Sequence, residues 1–177
     1  KTINLGLFYG MGKNKLQAEL GINKEKAEGL FRQYHLRVPF VKQLMDSVMQ
    51  RAQSRGRIRT LLGRLCRFHL WEPNQFGIHK PLPHDAALEE HGPGIRRAYT
   101  YKALNRLIQG SAADMTKKAM IELHKEGITP HIQVHDELDI SVDNNADKIK
   151  EIMESAVDLE VPNKVDYESG PNWGTIK

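Results

Sequence analysis

The feature that most constrains the fold of this chain is an alternation of apolar and polar side chains between residues 128 and 142. A period of two residues indicates a β-strand with one buried face. Asp136 occupies one of the apolar positions, and a continuous strand would bury its carboxylate at a severe cost. A hairpin turn near residues 135–137 avoids this cost because it presents the carboxylate at a tip. The apolar members of the alternation are Ile132, Val134, Leu138, Ile140 and Val142.

Helical patterns dominate the part of the chain that precedes this hairpin. Apolar residues at helical spacing predict helices over 13–20, from Asn23 to about 37, and from Pro39 to Gly56. A fourth pattern predicts one long helix or two consecutive helices over 95–126. Residues 57–68 are expected to form strand and turn, 69–94 a long irregular loop insertion, and 161–167 an edge strand. The predicted class is α+β: helices first, then a small antiparallel sheet backed by helices.

Composition excludes several classes of protein. The chain has 177 residues, which suits one compact domain, and no apolar run approaches the roughly 20 residues that span a bilayer. Its single cysteine, Cys66, cannot form an internal disulfide, so a reducing compartment and a packing role are expected. Four histidines between residues 69 and 91 match no metal-ligand spacing, so an exposed loop explains them better than zinc does.

Charge changes sign along the chain. Residues 1–67 carry 14 Lys and Arg against 4 Asp and Glu, a net +10, whereas residues 131–177 carry a net −7. A basic front half favours a polyanionic partner, although either half alone could be a solvated surface. Six arginines fall within seventeen residues, with no acidic residue among them, and this favours contact with a nucleic-acid backbone. They are Arg51, Arg55, Arg57, Arg59, Arg64 and Arg67.

Three further groups of residues suggest chemistry. Asp136 and Glu137 on a tight turn could hold divalent cations, although an Asp-Glu pair in a turn is usually only polar. Asn105 and Gln109 share a helix face and could contact the minor groove, or simply be exposed. A cation, an apolar side chain and an aromatic ring follow one another at intervals of four residues near the start of the chain. They could bind a nucleotide or form a basic helix end, and they are Lys1, Leu5 and Tyr9.

Taken together, these segments resemble the family A DNA polymerases, the relatives of bacterial DNA polymerase I, in their phage-like form. The run from Lys1 to Tyr9-Gly10 resembles the second half of the fingers helix, with its Lys-x7-Tyr-Gly pattern. The segment 109–114, Gln-Gly-Ser-Ala-Ala-Asp, resembles the palm helix signature, and 133–138, Gln-Val-His-Asp-Glu-Leu, the catalytic palm hairpin. Gly-Pro-Asn-Trp at 170–173 resembles the family's ending. The four matches follow the family's order.

The resemblance implies a helical fingers portion at 1–55 and a palm portion at 56–177. It implies nucleotidyl transfer from a dNTP to a primer 3′-hydroxyl, with two Mg²⁺ ions in the complete enzyme. By position, the resemblance implies that Asp136 binds the metals, with Glu137 in a supporting role. It implies that the incoming nucleotide is bound by Lys1, Leu5 and Tyr9. Lys1 is also the expected general acid toward pyrophosphate. Contacts to primer-template DNA fall to Arg57, Arg59, Lys102, Asn105, Gln109 and His135.

Two positions depart from the family's pattern. Leu5 stands where the family commonly has Phe or Tyr against the sugar, and Tyr101 stands where many relatives have Arg, with Lys102 adjacent. The resemblance also implies that an N-terminal polymerase portion, on the same or a separate chain, supplies a second metal-binding Asp. This chain alone is therefore expected to be inactive. The expected location is the cytoplasm of a bacterial or phage-infected cell, without membrane contact. The alternatives are a non-catalytic nucleic-acid-binding module and a metal-dependent nuclease.

Overall fold

A computed structural model describes residues 2–75 and 77–176. The chain divides into two compact units, residues 1–108 and 109–177, which are described separately below. Helices and small antiparallel sheets together give the α+β class that the sequence predicts. Within the described ranges, no helix is both long enough and apolar enough to cross a membrane.

Four helices begin the first unit: α1 (Thr2–Phe8), α2 (Lys13–Leu20), α3 (Lys24–Arg37) and α4 (Pro39–Arg55). Their ends follow the predicted capping residues. The side chain of Asn23 accepts a hydrogen bond from the backbone N–H of Lys26 at 2.9 Å, which caps α3. Pro39 opens α4, where its missing N–H costs nothing, and Gly56 ends that helix at φ +64°.

A hairpin follows, made of β1 (Arg57–Arg59) and β2 (Leu65–Arg67), as the sequence predicts. The central residue of β1, Ile58, is buried against α4 in the main apolar cluster of this unit. The cluster also contains Phe68, and Cys66 packs on it, which confirms the expected packing role of that cysteine. The other buried members are Val48, Ala52 and Ala103, with Met49 and Leu107 packed against them.

The expectation of an irregular loop over 69–94 is wrong. This segment forms β3 (Leu70–Pro73), β4 (Leu82–Pro83) and α5 (His84–His91), and β5 (Ile95–Arg97) completes a three-stranded antiparallel sheet in the order β4-β3-β5. The strands are too short to show a clear period, and the four prolines and four histidines of this segment are typical of a loop. The helix predicted from residue 95 starts only at Ala103, since Ile95–Arg97 pairs with β3 instead.

Helix α6 (Ala103–Lys125) continues from the first unit into the second. The second unit also contains β6 (Ile132–Val134), β7 (Glu137–Asp139) and α7 (Ala146–Ser155). Strands β6 and β7 pair as an antiparallel hairpin, so the turn predicted from Asp136 is confirmed. The predicted edge strand at 161–167 is wrong: those residues form no strand, and the backbone N–H of Val165 instead donates to the Glu154 carboxylate at 3.0 Å.

Candidate nucleic-acid interface and metal-binding hairpin

The second hairpin places Asp136 at its tip. Strand register pairs Val134 with Glu137, so the loop contains only His135 and Asp136. Two-residue loops require a positive φ at a central position, and His135 adopts φ +53°. The side-chain amide of Gln133 donates to the carbonyl of His135 at 2.6 Å, which supports the turn. Glu137 is the first residue of β7 and not a turn residue. The side chains of Asp136 and Glu137 therefore project from a backbone whose conformation is fixed by strand pairing.

The apolar side chains of the two arms lie on opposite faces of this hairpin. Residues that pair directly project to the same face, and the register pairs Ile132 with Asp139 and Gln133 with Leu138. The alternation of the sequence therefore does not continue through the turn, because a two-residue loop pairs even-numbered positions with odd-numbered ones. Ile132 is 41% exposed and Val134 is 37% exposed, so this sheet buries little of its apolar surface within the second unit.

The carboxylate at the tip and the one beside it on β7 are available to a ligand. Asp136 and Glu137 are both exposed, and neither forms an ion pair or a side-chain hydrogen bond within residues 2–75 and 77–176. Carboxylate oxygens are the hard donors that Mg²⁺ prefers, and it takes one or two of them together with water and phosphate. Asp136 thus fits the chemistry of a metal ligand. The described part of the chain holds no group of three or more His, Cys, Asp or Glu that could bind a metal.

The first hairpin presents arginines on one face. Arg57 and Arg59 are exposed on either side of the buried Ile58, as the alternation of β1 predicts. Register pairs Arg57 directly with Arg67, which is also exposed. Like charges that face each other across a strand pair are destabilising unless a counter-ion is present, so this arrangement favours a polyanion. Arg67 is one of the six arginines between residues 51 and 67, and only the register singles it out.

Arg59 contributes to the hairpin turn as well. Its guanidinium donates a hydrogen bond to the carbonyl of Gly63 at 2.6 Å, which holds the side chain along the turn between β1 and β2. The turn is closed by a backbone bond from Thr60 N–H to the Arg64 carbonyl at 3.0 Å. Exposed leucines at 61 and 62 flank this charge, so the tip combines cationic and apolar groups.

The start of α6 presents the predicted polar residues. Asn105 and Gln109 are both exposed and lie one helical turn apart. Just before α6, the ammonium of Lys102 lies 4.8 Å from the ring centroid of Tyr99 and 5.6 Å from that of Tyr101. Two aromatic faces therefore restrict the Lys102 side chain, while Tyr101 stays 62% exposed. No sequence period marks Tyr99, which adopts φ +61° in a short irregular segment.

Helix α1 presents Leu5, and Tyr9 follows one turn later, directly after the helix ends at Phe8. Leu5 is 55% exposed, and its carbonyl accepts the backbone N–H of Tyr9 at 3.0 Å. Leu7 is 4% exposed and holds the opposite side of the helix against the first unit. The chain can turn immediately after Tyr9 because Gly10 adopts φ +85°. Lys1, the third member of this predicted group, lies outside the described residues.

An exposed acidic tip, a hairpin with facing arginines, and exposed amides on one helix are typical of proteins that act on nucleic acids. A family model described as DNA polymerase family A matches residues 1–175. This chain belongs to the family A DNA polymerases.

Individual relatives agree with that assignment. The chain is 34% identical to a DNA-directed DNA polymerase of Pseudomonas phage M6, over 98% of this chain and 28% of the relative. It is also 34% identical to DNA polymerase I of Geobacillus stearothermophilus, over 100% of this chain and 20% of the relative. Among solved structures, it is similar to the POL domain of Pol1 from M. smegmatis in complex with DNA primer-template and dNTP. The TM-score is 0.67, with 29% identity over 91% of this chain and 27% of that one.

Proposed function

We propose that this chain is the C-terminal fingers and palm part of a template-directed DNA polymerase, which transfers a nucleotide from a dNTP to a primer 3′-hydroxyl. The observation that carries the proposal is the exposed carboxylate of Asp136 on a two-residue hairpin loop, in a chain that belongs to this family. A two-residue loop between paired strands suits a metal ligand because it fixes the backbone from which the carboxylate projects.

In this proposal, Asp136 would hold Mg²⁺ together with an Asp from an N-terminal polymerase portion, and Glu137 would support it. When bound, two such ions activate the attacking hydroxyl and neutralise charge on the phosphates. The N-terminal portion, on the same or a separate chain, is part of the proposal. The chain spans about a fifth of the length of the bacterial relative described above.

Other side chains bind and orient the two substrates. Lys1 would contact the triphosphate and donate a proton to the pyrophosphate leaving group. Leu5 would pack against the nucleotide sugar, and Tyr9, one turn away, beside the templating base pair. His135, at the turn next to Asp136, would contact the primer terminus.

Duplex DNA would be held by the cationic and amide groups. Arg57 and Arg59 would contact phosphates, because guanidinium groups on one strand face match successive backbone oxygens. Lys102, restricted by two tyrosine rings, would add a phosphate contact where many relatives have Arg. Asn105 and Gln109 would face the minor groove, where every base pair offers hydrogen-bond acceptors.

The direct test is reconstitution. The chain is combined with an N-terminal polymerase portion, and incorporation of a single dNTP is measured on a primer-template with Mg²⁺. Incorporation that follows the template base and requires both portions supports the proposal. Duplex binding without incorporation would favour a non-catalytic module built on the arginine face, and Mg²⁺-dependent cleavage of DNA by the chain alone would favour a nuclease.

A further inference from the structure

A cavity of about 380 Å³ lies among α2, α3 and α4, apart from the residues discussed above. Its volume falls in the range of about 300–1,000 Å³ that is typical of sites for small ligands. The lining side chains are aromatic, apolar and charged, and they include one carboxylate, that of Glu28, among the cations. Those that matter for the argument are Lys13, Phe31, Arg32, His35, Leu36 and Lys42. We call this cavity the Phe31 pocket.

Aromatic rings form one side of the Phe31 pocket. Phe31 and His35 lie one turn apart on α3, with ring centroids 4.4 Å apart and planes at 65°. The Nδ1 atom of His35 is buried and has no hydrogen-bond partner within the described residues. Burial lowers the pKa of His35, and the Lys42 ammonium lowers it further against an opposing effect of Asp46. A neutral imidazole beside a ring suits a flat, polar-edged aromatic ligand.

Cations surround the opening of the pocket. Lys13 pairs with Glu28 at 3.5 Å, and Lys42 pairs with Asp46 at 2.6 Å. Both lysine side chains are more than half exposed, so these ion pairs are weak and can be exchanged for a phosphate. Arg32 is exposed and forms no ion pair within the described part of the chain. It is the cation best placed to meet an anionic ligand without losing a partner.

We infer that the Phe31 pocket binds one unstacked nucleotide of single-stranded DNA, with its base against Phe31 and His35 and its phosphate against Arg32 and Lys13. The inference rests on the proposed function, which brings single-stranded template to the protein. Single-strand sites combine an aromatic platform with a basic surface, and this pocket has both. A base within a duplex stays stacked on its neighbours and cannot offer its face to Phe31, so the site discriminates against duplex DNA. The net charge of +10 over residues 1–67 favours a polyanion over other aromatic ligands.

The experiment measures fluorescence anisotropy of the full 177-residue chain with labelled oligothymidylate, an abasic oligomer of equal length, and a blunt duplex. Arg32→Ala is expected to weaken oligothymidylate binding about three- to tenfold, and to reduce the log–log salt slope by about 0.7, the value for one phosphate on a single strand. Phe31→Leu keeps an apolar side chain but loses the ring, and should weaken oligothymidylate binding about fivefold or more. It should leave binding of the abasic oligomer unchanged.

Arg37→Ala is the matched control, because Arg37 lies on the same helix but does not line the pocket. It should change oligothymidylate binding less than twofold. Arg32 is exposed, so its variant reports on the site even if Phe31→Leu lowers the melting temperature. Unchanged oligothymidylate binding by Arg32→Ala and Phe31→Leu would overturn the inference. So would an equal loss of duplex binding, or tighter binding of an acidic, Phe-containing peptide than of oligothymidylate.

The failure of this inference is distinguishable from that of the proposed function. The double variant Arg57→Ala with Arg59→Ala should weaken duplex binding and keep binding of the pocket to oligothymidylate. If it weakens duplex binding while the pocket variants change nothing, the assignment of Arg57 and Arg59 to duplex DNA is supported and the pocket assignment is wrong.

Discussion

The guanidinium of Arg97 lies 4.5 Å from the ring centroid of Trp71, so a residue of β5 covers an aromatic ring of β3. The same side chain donates to the carbonyl of Gln53 at 3.1 Å and to that of Phe68 at 3.0 Å. Gly56 makes room for it, since a Cβ there would come within 2.7 Å of the guanidinium carbon. Arg97 therefore ties the three-stranded sheet to α4 and to the end of the arginine hairpin.

Arg97→Lys should destabilise the chain by about 1–3 kcal/mol, because a lysine cannot make both hydrogen bonds and cover the ring at once. Urea unfolding measures the change. Arg96→Lys is the control: Arg96 is half exposed and pairs with Glu72 at 3.1 Å, so its replacement should cost less than about 1 kcal/mol. Equal effects of the two variants would contradict the anchoring role of Arg97.

Replacing Arg57 and Arg59 together by Ala should weaken duplex DNA binding and reduce the salt slope. Each lost phosphate contact removes about 0.9 from the log–log slope on duplex DNA. Arg59 also donates to Gly63, so a melting curve must accompany the binding data. Arg51→Ala with Arg55→Ala, two exposed arginines of α4, is the comparison pair. If the Arg57 and Arg59 variant keeps both affinity and slope, the basic track lies elsewhere.

Leu5→Phe should change selection at the nucleotide sugar without abolishing incorporation by the reconstituted polymerase. Leu5 is 55% exposed and carries no charge, so its role is contact, and an aromatic face would pack more closely on the sugar. We expect about a tenfold change in the ratio of kcat/KM between normal and 3′-deoxy nucleotides. Ile3→Phe on the same helix is the control. Unaltered kinetics for both nucleotides would contradict the assignment of Leu5 to the nucleotide sugar.

Stability should depend on pH through Glu154. The Val165 N–H and the Lys164 ammonium, each at 3.0 Å, hold the pKa of this carboxyl below its ordinary value of 4.5. Because the folded pKa is lower than the unfolded one, the stabilisation is complete above pH 4.5 and is lost as pH falls through the folded pKa. Glu154→Gln should thus lower the melting temperature at neutral pH, and the difference should vanish in acid.

Glu151→Gln is the control for this measurement, since Glu151 lies on the same helix and its carboxylate has no ion pair within the described residues. Its melting curve should follow that of the parent chain from neutral to acid pH. A Glu154→Gln difference that persists in acid would show that the side chain acts through packing and not through its charge.

Most elements with strong local signals were predictable from the sequence. The caps at Asn23 and Gly56 and the proline at 39 mark helices α3 and α4 because their chemistry is local. The turn at Asp136 was predictable because a continuous strand would bury its carboxylate, and that cost outweighs the strand pattern. Among the described candidate residues, Leu5 on α1, the two arginines of β1 and the two amides of α6 lie where helical and strand periods put them.

The remaining features depend on contacts that are distant in the sequence. The sheet of β3, β4 and β5 was missed because strands of two to four residues show no period, and Arg97 supports that sheet through carbonyls far from it in sequence. The pairing of Arg57 with Arg67 follows from register, which loop length decides. The segment 161–167 resembled a strand, but its backbone is held by Glu154 instead.

The measurement that tests the central claim most directly is single-turnover incorporation by the reconstituted polymerase carrying Asp136→Asn. Asn is tolerated in turns as well as Asp is, so melting temperature and duplex affinity should stay near those of the parent. The chemical rate should fall by about two orders of magnitude or more, since a metal ligand loses its charge. Asp139→Asn, in β7 of the same hairpin, should keep a near-normal rate. A normal rate for Asp136→Asn would remove this carboxylate from the metal site, and collapse of the fold would make it structural.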